Sequence, residues 1–305
     1  MEQVLSVIQA TLPVFLALGL GMLCRSKKLL TPEGVEGLKK VVLNITLPVV
    51  LLNAFATTIY TPKTLLIPVV IFLLNVLAMG LGKVGMGIFG QKSKITPFFT
   101  TGFEAGMIGY ALFAVAFPKE SSSQFAILDL GQTIFVFTLY KALLSGKGSG
   151  KAMLRDAVTS PILWAVFAGI LIGATGLYQA MVTTGIAPVF HGITDFISAP
   201  TAMIILLTIG YDLVPSEIPW RQVTGLVFLR LAVMAVCLLV LMALNQFVFG
   251  GIIFMGAAVL LFILPPPYVL PVFCTDPEER VKFSSAISAF TLVSILLFAV
   301  LCALI

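Results

Sequence analysis

Apolar residues in this chain come in long runs separated by short polar intervals. The runs cover 3–23, 41–58, 64–90, 97–117, 123–143, 161–178, 188–211, 223–246, 248–274 and 281–305. A helix needs roughly 20 apolar residues to cross a bilayer, so the pattern predicts an all-α polytopic membrane protein with ten transmembrane helices. The first run follows Met-Glu-Gln and has no small-residue cleavage site, so it reads as a retained span and not as a signal peptide. The longest polar interval, SGKGSGKAMLRDAVTS at 145–160, leaves five spans on each side. Residues 1–144 and 161–305 then form two five-helix repeats joined by a linker. Spans one and six start near 3 and 161, spans five and ten near 123 and 281, and Pro48 in span two has a counterpart in Pro200 of span seven. Five is odd, so the second repeat must enter the membrane inverted, an arrangement common in secondary transporters.

Two spans in equivalent positions look broken. Span four carries Gly102, Gly106 and Gly109 around Glu104, and span nine carries LPPPYVLP with Pro265, Pro266, Pro267 and Pro271. Successive prolines lack N–H donors and push the preceding residues out of the helical region. Unpaired backbone at membrane depth survives only where protein or a wet cavity covers it. Matching breaks in two halves are the best pointer in a sequence to a transport site.

Composition supports this reading. Only 10% of residues are charged and 59% are hydrophobic. The net charge of +5 follows topology and does not suggest a nucleic-acid partner. Fourteen of the 18 Lys and Arg lie in or at the edges of the loops after odd-numbered spans, and Lys63 and Lys119 follow even ones. Those odd loops, the 145–160 linker included, are therefore expected in the cytoplasm, with both termini outside the cell membrane. Cys24, Cys237, Cys274 and Cys302 show no metal or disulfide spacing, and the only histidine, His191, is expected to be bonded locally. No metal or cofactor is indicated. The linker misses a phosphate-binding loop at Ser145 and Ala152, and no HExxH or GxSxG occurs, which disfavours a pump or an enzyme.

Polar residues inside spans are functional candidates by default. Glu104, placed at the end of the first half of span four, would lie beside a negative dipole end. Burial and that dipole both disfavour its ionised form, which predicts a protonatable carboxyl. The half-helices after Gly109 and after Pro267 would offer positive dipole ends to an anion such as a carboxylate. Asp129 and Gln132, one turn apart in DLGQT, are expected to face the same place, with Asn75 in span three and Asn44 in span two as further candidates. Tyr110 and Tyr268 follow the two breaks and either cover a ligand or pack. Arg230 is close enough to the cytoplasmic end of span eight to snorkel. Gly169, Gly173 and Gly176 form a small-residue face for helix packing.

The segment EAGMIGYAL at 104–112, the prolines at 265–266 and NITLP at 44–48 resemble motifs of the auxin efflux carrier family, whose bacterial branch consists of permeases for small organic anions. The resemblance implies a scaffold of spans one, two, six and seven and a mobile transport domain in which spans four and nine cross and slide in an elevator-like motion. It also implies a homodimer and an architecture similar to bile acid:sodium symporters. Two departures stand out: Glu104 and Val269 replace the family's asparagines in spans four and nine. The sequence reading is therefore a secondary transporter of small organic anions, coupled to a proton with sodium second, and not an enzyme. The alternative is an ion-gradient-independent uniporter or channel-like facilitator.

Overall fold

The computed structural model describes residues 2–89, 93–145, 160–214, 216, 218–268, 270 and 277–305. Among these residues the secondary structure is helical throughout, with no strand. Six helices are long and apolar enough to cross a membrane: Pro32–Ala56, Pro62–Gly85, Ser123–Leu144, Ala187–Asp212, Trp220–Phe249 and Ala286–Leu304. The pair Pro161–Ala174 and Leu177–Thr183, bent by 61°, makes a seventh if counted as one span. Leu12–Ser26 and Ala105–Ala116 are shorter apolar helices. Spans four and nine fall below spanning length for a physical reason: each is interrupted near its middle. Thr96–Phe99 is separated from the Ala105–Ala116 segment, and Met255–Ile263 ends at extended residues from Leu264 onward. The expected linker lies outside the described residues from 146 to 159.

Local sequence sets several helix ends. Thr31 and Ser160 cap their helices by accepting from Gly34 N and Leu163 N, and Pro32 and Pro161 follow at the first helical position. Pro48 lacks an N–H, and the turn before it widens to a π-helical turn at Val42–Thr46, where Leu47 N bonds Val42 O. Pro200 sits between Ala187–Ser198 and Thr201–Asp212. Long helices also carry apolar side chains on their outer faces. Leu65, Val69, Leu73 and Val76 on Pro62–Gly85 are all exposed, as expected where the surrounding solvent is hydrocarbon.

The chain divides into two compact units. The first comprises Met1–Thr64, Gly106–Ile127 and Ser149–Leu213. Its helix Glu2–Ser26 packs on Thr201–Asp212, and Pro161–Ala174 packs on Leu47–Ala56. Both contacts are very close. A Cβ on Gly21 or Gly210 would overlap Leu207 O or Leu18 O, and one on Gly169 would lie 2.8 Å from Leu52 O. Gly173 meets Phe55 O in the same way, at 2.9 Å. Gly176 has a different role from its two neighbours in the stripe. Its φ is +74°, nothing lies within 4 Å of its would-be Cβ, and it forms the bend before Leu177–Thr183. In this unit His191 Nε2 is bonded to Tyr178 Oη at 2.8 Å, a local partner as expected.

The second unit comprises Leu65–Ala105, Leu128–Gly148 and Val214–Ile305. Its core brings together Phe99, Phe135, Tyr140, Leu226, Leu270 and Phe290, and Tyr140 Oη donates to Phe98 O at 2.8 Å. The described cysteines Cys24, Cys237 and Cys302 are free thiols.

Candidate functional site

Both chain breaks meet inside the second unit. Residues 100–104 leave the helix after Phe99, and a break of this kind exposes N–H and C=O groups that must be paired. Three consecutive N–H groups find partners on other elements. Gly102 N donates to Asn75 Oδ1 at 2.8 Å, and Phe103 N donates to Gln132 Oε1 at 3.2 Å. Glu104 N donates to Pro265 O at 2.9 Å. The contact is returned by Tyr268 N, which donates to Glu104 Oε2 at 2.6 Å. The acid of one break thus clasps the backbone of the other.

The supporting side chains are themselves held. Asn75 is buried, donates from Nδ2 to Ile71 O, and accepts from Thr101 Oγ1. Gln132 Nε2 donates to Asp129 Oδ1 at 2.9 Å, and Thr133 Oγ1 donates to the same oxygen at 3.1 Å. Gln132 makes the direct contact with the break, and Asp129 is bonded to Gln132 behind it. Gly102 has a φ of +72°, and a Cβ there would lie 2.8 Å from Pro267 Cγ. Pro265, Pro266 and Pro267 are buried, and Tyr268 Oη is bonded to Thr291 Oγ1 at 2.9 Å.

Arg230 corrects the sequence reading. It does not snorkel to the cytoplasmic end; its side chain is 3% exposed. Nη1 donates to Phe99 O at 2.7 Å, and Nη2 donates to Gly102 O and to Leu264 O, each at 2.8 Å. Phe99 and Leu264 are the residues at which the helices before the two breaks end. One guanidinium therefore neutralises the carbonyl ends of both, where cations are favoured. Phe103 and Phe290 lie beside it, with ring centroids 5.7 and 5.9 Å from Cζ. Lys83, which also lies within a predicted span, is exposed.

A second correction concerns Glu104. The helix before it ends at Phe99, and the helical segment after it begins at Ala105 with a π-helical turn to Gly109. Glu104 therefore sits at the positive, N-terminal end of a segment and not at a negative end. Gly106 and Gly109 belong to that π-helical turn, and Tyr110, buried, packs its ring edge-on against Phe125 at 4.9 Å. Asn44 is exposed on its own π-helical turn and donates to Lys40 O, so it is not among the residues bonded to the breaks. Val269, Pro271 and the start of any half-helix after Pro267 lie outside the described residues. Among the described residues there is no cluster of three or more His, Cys, Asp or Glu able to hold a metal ion.

The fold and the site define a polytopic all-helical membrane protein with paired, mutually bonded chain breaks. No protein-family model matches the chain. Over 212 residues it is 26% identical to a protein of Methanothermobacter thermautotrophicus (strain Delta H) described as an uncharacterized transporter, an alignment covering 67% of each chain.

Proposed function

We propose that this protein is a secondary transporter of small organic anions, carboxylates above all, coupled to protons through Glu104. The relative described as a transporter supports the class. The observation that carries the mechanism is the reciprocal bond between the breaks, Glu104 N to Pro265 O and Tyr268 N to Glu104 Oε2. A buried acid at the joint of two broken helices can alternate between two states. Ionised, it occupies the positive end of the Ala105–Ala116 segment and holds Tyr268 N. Protonated, it gives up that charge and leaves the segment's first N–H groups to a substrate carboxylate. Proton and anion then bind together, so lower pH on the substrate side favours uptake. Asp129, Arg230 and Tyr268 are the other ionisable side chains bonded around the same backbone.

In the elevator reading of the motion spans one, two, six and seven form the scaffold; their described residues fall in the first compact unit, which also holds Gly106–Ile127. The matched contacts of span one with span seven and of span six with span two are those expected of an inverted repeat. A homodimer through that scaffold completes the proposal.

The test is carboxylate flux into proteoliposomes, with and without an imposed pH difference, for wild type and Glu104→Gln. Glutamine keeps an acceptor for Tyr268 N but cannot ionise. Wild type should accelerate when the outside is more acidic, and the variant should exchange substrate with no response to the gradient. Equal responses would remove Glu104 from the coupling and make Asp129 the next residue to vary. Flux that ignores pH in wild type as well would favour the uniporter.

A further inference from the structure

The environment of Arg230 suggests why this transporter would not need sodium. Unwound backbone carbonyls and half-helix C-terminal ends are the groups with which broken-helix transporters coordinate sodium ions. Here three such oxygens converge on one side chain. Phe99 O and Leu264 O terminate the helices before the two breaks, and Gly102 O belongs to the extended stretch between Thr96–Phe99 and the Ala105–Ala116 segment. Nη2 lies 2.8 Å from both Gly102 O and Leu264 O, and Nη1 lies 2.7 Å from Phe99 O. Two carbonyls from different breaks sharing one nitrogen at these distances form the start of a cation coordination shell. Its occupant is a covalently tethered cation.

We infer that Arg230 is a built-in substitute for a coupling cation: its guanidinium fills a carbonyl-lined monovalent-cation site and makes the protein indifferent to sodium. The inference deepens the transport reading and rests on it. Several observations beyond the three bonds agree. Arg230 lies within helix Trp220–Leu244, flanked by apolar residues from Gly225 to Leu244. A charge there is costly unless it compensates another, and the negative ends of two helices plus an extended carbonyl supply that compensation. Phe103 and Phe290 line the guanidinium, and both belong to the same compact unit as the three carbonyls. A mobile cation would bind and leave during the cycle, whereas a tethered one contributes no ion to the stoichiometry.

The experiment compares thermal unfolding of purified wild type, Arg230→Ala and Arg221→Ala in sodium chloride and in choline chloride at equal ionic strength. Arg221 is exposed on the same helix and controls for loss of a charge in general. Wild type and Arg221→Ala should unfold at the same temperature in both salts. Arg230→Ala should be less stable in choline and should regain several degrees as sodium replaces it, because an ion that binds only the folded state stabilises it by mass action. A sodium-dependent midpoint in wild type, an equal sodium response in Arg221→Ala, or an Arg230→Ala protein indifferent to sodium would each overturn the inference. So would an Arg230→Ala protein that cannot be recovered folded even in sodium, since sodium should restore the lost contacts. Failure of the transport reading has a different signature, absence of carboxylate flux at any pH, and leaves this salt comparison unchanged.

Discussion

Gly102 shows how much one residue can decide at the joint of the two breaks. Its φ of +72° is the left-handed region, and a side chain there would also meet Pro267 Cγ at 2.8 Å. Gly102→Ala therefore adds a backbone cost of about 1–2 kcal/mol to a steric overlap with a rigid ring. The variant should unfold at a lower temperature than wild type and lose flux. A stable, active Gly102→Ala would mean that the break is not held in this conformation. The glycine itself was visible in TGFEAGMIG, but its partner was not, because Pro267 lies far along the chain. Arg230 was hidden for the same reason. Its acceptors are 131, 128 and 34 positions away, so distance to the helix end was the only guide, and that guide pointed to snorkelling. Asn75, Gln132 and Asp129 were easier to find: a polar side chain within an apolar run is conspicuous whatever it bonds.

At the scale of whole helices, glycine and proline spacing located both breaks, since no helix runs through PPP and a carboxylate among glycines is costly in a continuous apolar span. Where the helices stop was less legible. The first half of span four ends at Phe99, five residues before Glu104, and this reverses the dipole that acts on the carboxyl. Spacing also could not separate two kinds of glycine in span six. Gly169 and Gly173 allow close approach to Leu47–Ala56, while Gly176 supplies a positive φ at a bend. The distinction can be tested by adding bulk. Gly169→Leu would press on Leu52 O and Phe55 Cβ, each 2.8 Å from the would-be Cβ. Overpacking of this kind costs about 1–3 kcal/mol, so its thermal midpoint should fall. Gly19→Ala, with nothing within 4 Å and a place inside Glu2–Ser26, should be neutral or slightly stabilising. Equal midpoints for the two variants would show that the helix contact at Gly169 is looser than this geometry requires.

For the whole molecule, the repeats and the compact units are different divisions of one chain. The repeats expected from the sequence would split it once, near its middle, while each compact unit takes segments from both halves. Hydropathy and charge speak to the first division because they vary along the sequence. The second depends on which helices pack together, and that is written in close glycine contacts and long-range hydrogen bonds. The orientation expected in the membrane rests on charge alone: Arg25, Lys27, Lys28, Lys39 and Lys40 follow span one, and Lys147, Lys151 and Arg155 lie between spans five and six. If these basic residues stay inside, as basic loops do, then 145–160 is cytoplasmic and the second five spans run opposite to the first. A single cysteine placed there as Ser149→Cys, with Cys24, Cys237, Cys274 and Cys302 replaced by alanine, should resist an impermeant thiol reagent added to intact cells. It should react once the membrane is permeabilised. A matching cysteine at Lys119, in the loop after span four, should show the opposite behaviour and react from outside. Labelling of Ser149→Cys in intact cells would reverse the topology, and similar labelling at both positions would mean that an even number of spans separates them. In that case the two halves could not be related by inversion, and the matched breaks at Glu104 and Pro265 would need another origin.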